Sequence, residues 1–421
     1  MLRWRIAIMV SVAIAVSYLD RQTLPVAIDA IRKQIPVTDG MFADLNIAFL
    51  VTYALMYAGG GKLMDALGTR RGFTLIMVFW SLACASHGLA ATFTMLAVSR
   101  LLLGIGEGGG FPAATRAMAE WFPARDRSIA MGIMNAGTAV GGIAAPPMIA
   151  LILSHYQLHW RWVFFITGGL GLLWTLWWRL DYFPPEQHPR LSDAERRNIL
   201  STLEPGGSAQ APAVKWRDLL KHFEIVGLVA AKFLSDAAWY FYLLWLPKYL
   251  YDARGLNIKQ VGYYAWIPHL AAGIGCLLGG SLSAWLVRRQ WSVDRSRKIA
   301  LGASAVMMPL VFFIPHVAIG WVIVFFSIAY FGQQSWSTLV MTLPADLVPK
   351  RAVGAVAGLV GFGGAMGGVC FLKGVGYLLD HGSGYGPVFA MAGTFHVVAF
   401  IVICLAVPAI KPLRFSPEPS V

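Results

Sequence analysis

Twelve apolar runs of about 20 residues, the length a helix needs to cross a bilayer, divide this 421-residue chain into spans and polar loops. In round limits the runs are 5–31, 44–66, 72–91, 93–118, 126–154, 160–180, 222–251, 258–287, 298–316, 318–343, 352–378 and 385–408. Backbone amides and carbonyls find no water inside a bilayer, so each run has to close its hydrogen bonds within itself as a helix. Composition agrees: 57% of residues are hydrophobic and 13% charged, against about 25% charged in soluble domains, and mean hydropathy is +0.62. The expected fold is an all-α membrane protein of twelve transmembrane helices. A polar globule in water is excluded.

One long polar stretch, Tyr182 to Lys221, separates six runs from six. It holds Pro184-Pro185, Pro189, Pro205-Gly206-Gly207 and Pro212, with Asp193-Ala194-Glu195-Arg196-Arg197 as a short amphipathic piece. The expected organisation is therefore an N-terminal six-helix bundle over 1–181, a cytoplasmic linker over 182–221 and a C-terminal six-helix bundle over 222–421. An internal repeat supports it. Glu120-Trp121-Phe122-Pro123-Ala124-Arg125 returns as Asp346-Leu347-Val348-Pro349-Lys350-Arg351, shifted by 226 positions, and the same shift carries Gly132 onto Gly358 and Gly141-Gly142 onto Gly367-Gly368.

Charge placement orients the chain. With both termini cytoplasmic, twenty-four of the 34 basic residues fall on that side and six on the other, leaving Arg21, Arg100, Lys232 and Lys373 inside the spans. That asymmetry accounts for the net charge of +13 without a nucleic-acid partner. The expected location is the cell inner (plasma) membrane, with the lipid bilayer as surroundings and a monomer as the working unit. Arg3, Arg5 and the apolar core after them resemble a signal peptide, but the helical pattern continues to Ile31, so an uncleaved first helix is expected. Cys84, Cys276, Cys370 and Cys404 stand singly in apolar runs and read as packing residues; no metal and no cofactor is expected. His87, His269 and His396 read the same way.

Charge at membrane depth is costly, so it usually lines a cavity and serves transport. Tyr18-Leu19-Asp20-Arg21 lies deep in the first run; Arg100 and Glu107 lie two turns apart on the fourth. At a rise of about 1.5 Å per residue, Asp20 sits roughly 22 Å from the cytoplasmic start of its helix, Arg100 roughly 27 Å and Glu107 roughly 16 Å from the cytoplasmic end of theirs. All three belong to the middle or outer membrane.

Several motifs carry a family resemblance. Gly61-Lys62-Leu63-Met64-Asp65-Ala66-Leu67-Gly68-Thr69-Arg70-Arg71-Gly72 resembles the signature loop of the major facilitator superfamily, with Ala66 where a base is usual. The second-half counterpart, Gly280-Ser281-Leu282-Ser283-Ala284, has lost its acid but keeps Arg288 and Arg289. Tyr18 to Leu24, Arg100 to Glu107 with Phe111-Pro112-Ala113, and Glu120 to Arg127 resemble that superfamily's anion:cation symporter branch. Phe233 to Trp239 and Trp245 to Leu250 are most similar to its hexuronate group.

The resemblance implies a conformational latch at Gly61, Asp65, Gly68, Arg70 and Arg71, with Asp65 capping the eleventh span. It also implies a substrate site lined by Tyr18, Arg21, Tyr53 and Arg100, and protonation at Asp20 and Glu107. The residues alone point the same way. A guanidinium stays charged and grips a carboxylate with two parallel hydrogen bonds; Asn135 and Thr138 add hydroxyl partners, and Trp239, Tyr240, Tyr242, Gln333, Gln334, Ser335 and Trp336 offer polar or ring contacts from the second half. The competing reading makes Arg21 and Arg100 structural partners that neutralise Asp20 and Glu107. A carboxyl alternately hydrated and brought near Arg100 could take up and release a proton, which favours Glu107 as carrier; Asp20 is either a second carrier or an orienting group for Arg21. Lys232 and Asp236, four apart, read as an intrahelical pair.

The expected activity is secondary active, proton-coupled symport of an organic anion, a sugar acid such as a hexuronate or aldonate, into the cytoplasm. A proton-independent exchanger or facilitator of organic anions or phosphate esters is the alternative. Gly104-Ile105-Gly106-Glu107-Gly108-Gly109 follows no strand, so it is read as close helix packing and not as a dinucleotide loop. No HExxH, no GxSxG and no paired histidines at ligand spacing occur, so the chain is not expected to be an enzyme.

Overall fold

A computed structural model describes residues 2–122, 124–202, 219–348, 350–411 and 413, and every apolar run in it is helical. The first bundle comprises α1 (Leu2–Arg32), α2 (Asp39–Leu67), α3 (Thr69–Ser86), α4 (Phe93–Gly108), α5 (Gly110–Trp121), α6 (Ala124–Ala150) and α7 (Arg161–Asp181). After α8 (Asp193–Thr202), the amphipathic piece of the linker, come α9 (Phe223–Asp252), α10 (Ile258–Tyr264), α11 (Ile267–Arg288), α12 (Val293–Val306), α13 (Ile319–Val340), α14 (Leu343–Leu347), α15 (Lys350–Asp380) and α16 (Gly386–Ala406).

Proline explains where the runs depart from single helices. The run at 93–118 is two helices that meet at Gly109, because Pro112 has no N–H for the Gly108 carbonyl and the preceding glycines weaken the turn. The run at 258–287 breaks before Pro268, which likewise leaves the Tyr264 carbonyl without its helical donor. The run at 298–316 ends in a tighter 3-10 stretch, Met308–His316, holding Pro309 and Pro315. Gly68 ends α2 and opens α3 at φ +72°, a conformation that costs a side-chain-bearing residue strain.

Among the described residues, nine helical segments are long and apolar enough to cross a membrane. The three remaining runs are the polar ones. Residues 93–118 are cut into helices of 16 and 12 residues carrying Arg100 and Glu107; α9 carries Lys232, Asp236 and Lys248; α13 carries Gln333 and Gln334.

The chain groups into two compact units. The first holds α1 to α8, α9 from Tyr240 onward, α10, the start of α11 and the end of α15 from Phe371. The second holds α9 up to Trp239, α11 from Ala271, α12 to α14, α15 up to Cys370, and α16. These groupings divide α9, α11 and α15 internally, whereas the sequence boundaries at 181 and 222 keep each helix whole.

In the first unit α1 packs along α6, α2 along α4 and α3 along α7. At Gly137 and Gly141 of α6 a side chain would run into the Ser11 and Ala15 carbonyls, so these glycines set how closely α6 approaches α1. One end of this unit is tied by charge. Arg32 pairs with Asp39 at 2.8 Å and Asp252 at 3.2 Å, and buried Lys248 pairs with both acids. Asp380 accepts from the Asp39 and Gly40 amides at 2.9 and 2.8 Å, capping α2, and Lys373, counted among the membrane-embedded bases, pairs with Asp44 at 2.7 Å. At the other end Asp181 pairs with Arg5 and Arg190. There Glu120 accepts from Thr69 and from Tyr182, whose hydroxyl burial, and then the carboxylate beside it, push well above the ordinary phenol range.

In the second unit an aliphatic core joins Leu228, Leu301, Leu339, Val360 and Ile403. Arg297 bridges Asp346 and Ser283 at 3.0 Å each.

Candidate functional site

Four charged side chains, Asp20, Arg21, Arg100 and Glu107, are at least 95% buried in the first unit. Helix packing puts them there. At Gly104 and Gly108 α4 rests on the backbone of α2, and at Gly106 on Trp80 of α3; any side chain at these positions would collide. Arg100 and Glu107 are left on the same buried stripe. The glycine string is therefore a packing surface, as expected.

The pairing differs from expectation. Glu107 bonds to Arg21, not Arg100: Arg21 Nε donates to Glu107 Oε2 at 2.8 Å, and Ser17 Oγ donates to the same oxygen at 2.7 Å. Arg21 also lies over the rings of Tyr18, Tyr53 and Phe49, at 4.6, 4.5 and 5.5 Å from their centroids. Asp20 does not orient Arg21. Successive helical side chains point about 100° apart, so Asp20 turns instead towards α3 and α7, where Cys84 Sγ donates to its Oδ1 at 3.4 Å. Cys84 in turn lies 3.2 Å from Thr167 Oγ1. Cys84, read from sequence as packing alone, thus has a polar role, while His87 fits the packing reading: its Nδ1 bonds the Ala83 carbonyl at 3.0 Å and its ring stacks on Phe164.

Much polar capacity in this cluster is unfilled. Asp20 Oδ2, Arg21 Nη2, Glu107 Oε1, and Nε and Nη2 of Arg100 are buried without hydrogen-bond partners. Arg100 has the Phe49 ring 5.8 Å away. Buried polar groups are normally satisfied, so a concentration of orphans calls for an explanation such as a ligand or an ion.

The other predicted residues fall in varied places. Tyr18 and Tyr53 join the Arg21 clasp. Asn135 is exposed on α6, and Thr138 donates to the Asn135 carbonyl at 2.8 Å, a bond within its own helix. Tyr240 belongs to the first unit and Trp239 to the second, where its ring meets Tyr330 edge-on at 5.3 Å. Ser335 donates to the Gly275 carbonyl at 2.8 Å, and Gln334 is half-buried. Of the residues expected to form a latch, Arg70 stacks on Phe183 at 3.7 Å and donates to the Arg179 carbonyl at 2.6 Å. Arg71 is exposed. The side chain of Asp65 and the surroundings of Gly61 lie outside the described residues, as does the capping expected of Asp65.

The second unit holds a cluster that the sequence reading only half found. Lys232 pairs with Asp236 at 2.9 Å, the expected intrahelical bond, and donates to Ser337 at 2.7 Å. Gln333 Nε2 donates to Asp236 Oδ1 at 3.3 Å, and its Oε1 bonds His396 Nε2. With the carboxamide so oriented, His396 carries its proton on Nε2. His396 is therefore part of a chain from α9 through α13 to α16 and not a packing residue. A polar residue in an otherwise apolar helix was the only available signal for it.

Comparison with known proteins places these features in context. The Major Facilitator Superfamily model matches residues 10–372. The "Hexuronate transporter" of Escherichia coli strain K12 is 30% identical over 410 residues, covering 96% of this chain and 93% of that protein. The "Galacturonate transporter" of Dickeya chrysanthemi is 33% identical over 311 residues, 73% of this chain and 89% of that one. The "D-galactonate transporter" of Escherichia coli O6:H1 is 28% identical over 97% of this chain and 96% of its own. Among solved structures, a bacterial homologue of the human lysosomal transporter Spinster, inward-facing and occupied, superposes with a TM-score of 0.71 at 17% identity, covering 96% of this chain and 95% of that one. That likeness establishes the fold.

Proposed function

This chain belongs to the Major Facilitator Superfamily, a multi-pass membrane transporter and not an enzyme; from that premise we propose that it is a proton-coupled symporter of a sugar acid. The substrate is of the hexuronate or aldonate class, the class named for relatives that span nearly the whole chain. Twelve spans in two halves, 1–181 and 222–421, with both termini cytoplasmic and the monomer as unit, carry alternating access in the inner membrane.

The observation that carries the proposal is Arg100, a buried guanidinium with two nitrogens unpartnered. A cation so placed costs several kcal/mol unless an anion completes it. In the proposed cycle, the substrate carboxylate takes the Arg100 fork and the free Nη2 of Arg21, while Tyr18 and Tyr53 meet the hydroxyl-bearing ring. This sets a second negative charge beside Glu107. Two carboxylates sharing one site cannot both stay ionised cheaply, so Glu107 takes up a proton as the anion binds. Anion and proton then travel together. Asp20 carries a second proton. Asn135 and Thr138 on the first half, and Trp239, Tyr240, Gln334 and Ser335 on the second, supply the remaining substrate contacts; Gly61, Asp65, Gly68, Arg70 and Arg71 govern closure at the cytoplasmic ends.

Uptake of labelled galacturonate, glucuronate and galactonate into proteoliposomes, with and without an inward acid gradient, tests the reading. Accumulation that requires the gradient is expected. Equal uptake without it, with counterflow intact, would replace symport by exchange or facilitated passage.

A further inference from the structure

Of the two acids in the first cluster, Asp20 is the one with no cation bonded to it. It is fully buried; its Oδ1 accepts from the Cys84 thiol at 3.4 Å, and its Oδ2 meets no donor or acceptor. The thiol has a single hydrogen. Spent on Asp20, it leaves sulfur as acceptor for the Thr167 hydroxyl, 3.2 Å away. Thr167 on α7, whose hydroxyl also has the Phe164 carbonyl of its own helix at 3.4 Å, thus contacts Cys84 on α3, which donates to Asp20 on α1. The Cys84 backbone is fixed as well, since its carbonyl is bonded by His87 Nδ1 at 3.1 Å.

The charged groups acting on Asp20 are Glu107 and Arg100, both from α4. Of the nearer helices, α3 and α7 offer only Cys84 and Thr167, and on α1 itself Arg21 is committed to Glu107. A carboxylate ion in such a site would be desolvated and unpaired, whereas the neutral acid needs only weak partners.

We propose that Cys84 and Thr167 are positioning residues forming a cradle that holds Asp20 as a proton-bearing acid, with the proton on Oδ2 and the thiol on Oδ1. The weak thiol donor stabilises the ion enough to let the proton leave when Oδ2 meets water, and not enough to strip it while the site is dry. The strength of this donor tunes the pH at which Asp20 discharges. The assignment of a proton to Asp20 rests on the symport reading above; the cradle itself does not require transport.

The test is a pH titration of the purified full-length protein by difference infrared spectroscopy, following the carbonyl band of a protonated carboxylic acid. Asp20→Asn is expected to delete one such band. In Cys84→Ala the same band shifts in frequency, and the acid discharges about half to one pH unit higher, the effect of losing one hydrogen-bond donor to the ion. Cys84→Ser keeps a donor and restores a titration at or below the wild-type pH; Thr167→Val moves the band in the Cys84→Ala direction by less. A band unmoved in both Cys84→Ala and Thr167→Val, in protein that still performs galacturonate counterflow, overturns the cradle. A band absent from wild type also overturns it. Gradient-independent galacturonate uptake together with a Cys84-sensitive titration would refute proton coupling and leave the cradle standing.

Discussion

The two buried polar clusters differ in how completely they are satisfied. In the second unit, Lys232, Asp236, Gln333 and His396 form a chain in which one ion pair and two further bonds engage every member, leaving His396 Nδ1 as the only orphan atom among them. In the first unit, Asp20, Arg21, Arg100 and Glu107 share one ion pair and leave five atoms unfilled. A satisfied network rigidifies, and an unsatisfied one stores free energy that a ligand can release. On the proposed reading, buried polar side chains serve architecture in the second unit and binding in the first. Burial alone would not separate them; bonding does.

The sharpest challenge to that contrast is Arg100→Gln. Losing a guanidinium that completes a carboxylate site should reduce sugar-acid uptake by about a hundredfold or more, near 3 kcal/mol, with little loss of thermal stability. Arg100→Lys keeps the charge without the fork and should recover only part of the uptake. A hundredfold loss accompanied by collapse of the fold would make Arg100 structural instead.

The opposite pattern is expected in the second unit. Lys232→Met leaves Asp236 buried and unpaired, at a cost of about 3–5 kcal/mol, whereas Lys232→Met combined with Asp236→Leu removes both charges and should regain most of that stability. Thermal unfolding in detergent reads the difference. Transport by the double variant within a few fold of wild type would place the pair in architecture; complete loss despite restored stability would move it into the transport site.

Smaller effects sharpen the picture. His396→Leu breaks the bond to Gln333 and should cost about 1–2 kcal/mol of stability, seen as a modest fall in Tm with a transport pH profile unchanged. Asp380→Ala removes the carboxylate that accepts from the Asp39 and Gly40 amides beside the Thr38 N-cap, worth about 1 kcal/mol, and should raise labelling of a cysteine placed at Met41 by a membrane-impermeant reagent. Unchanged labelling would mean the Asp380 contact does not shield the α2 N-terminus.

Much of this was legible in the sequence, for local reasons. Most apolar runs mark helices to within a few residues, and Pro112 and Pro268 account for two of the interior breaks. Lys232 and Asp236 could be paired because four residues bring two side chains onto one helical face, and Arg100 and Glu107 could be placed together because seven do. What escaped was tertiary. The Arg21–Glu107 bond joins residues 86 apart, and adjacency in sequence wrongly suggested Asp20 as the arginine's partner. Cys84, Thr167 and His396 are single polar residues in apolar helices, with no spacing rule to connect them. Only packing reveals their partners.

The most direct test of the central claim is proton entry driven by substrate. Proteoliposomes holding a trapped pH dye, with equal pH on both sides, would be given an inward gradient of galacturonate, for wild type and Glu107→Gln. Internal acidification that tracks galacturonate entry in wild type, and galacturonate counterflow without acidification in Glu107→Gln, is the predicted result. Galacturonate entering wild-type vesicles with no acidification would contradict symport and return Glu107 to the role of a structural charge.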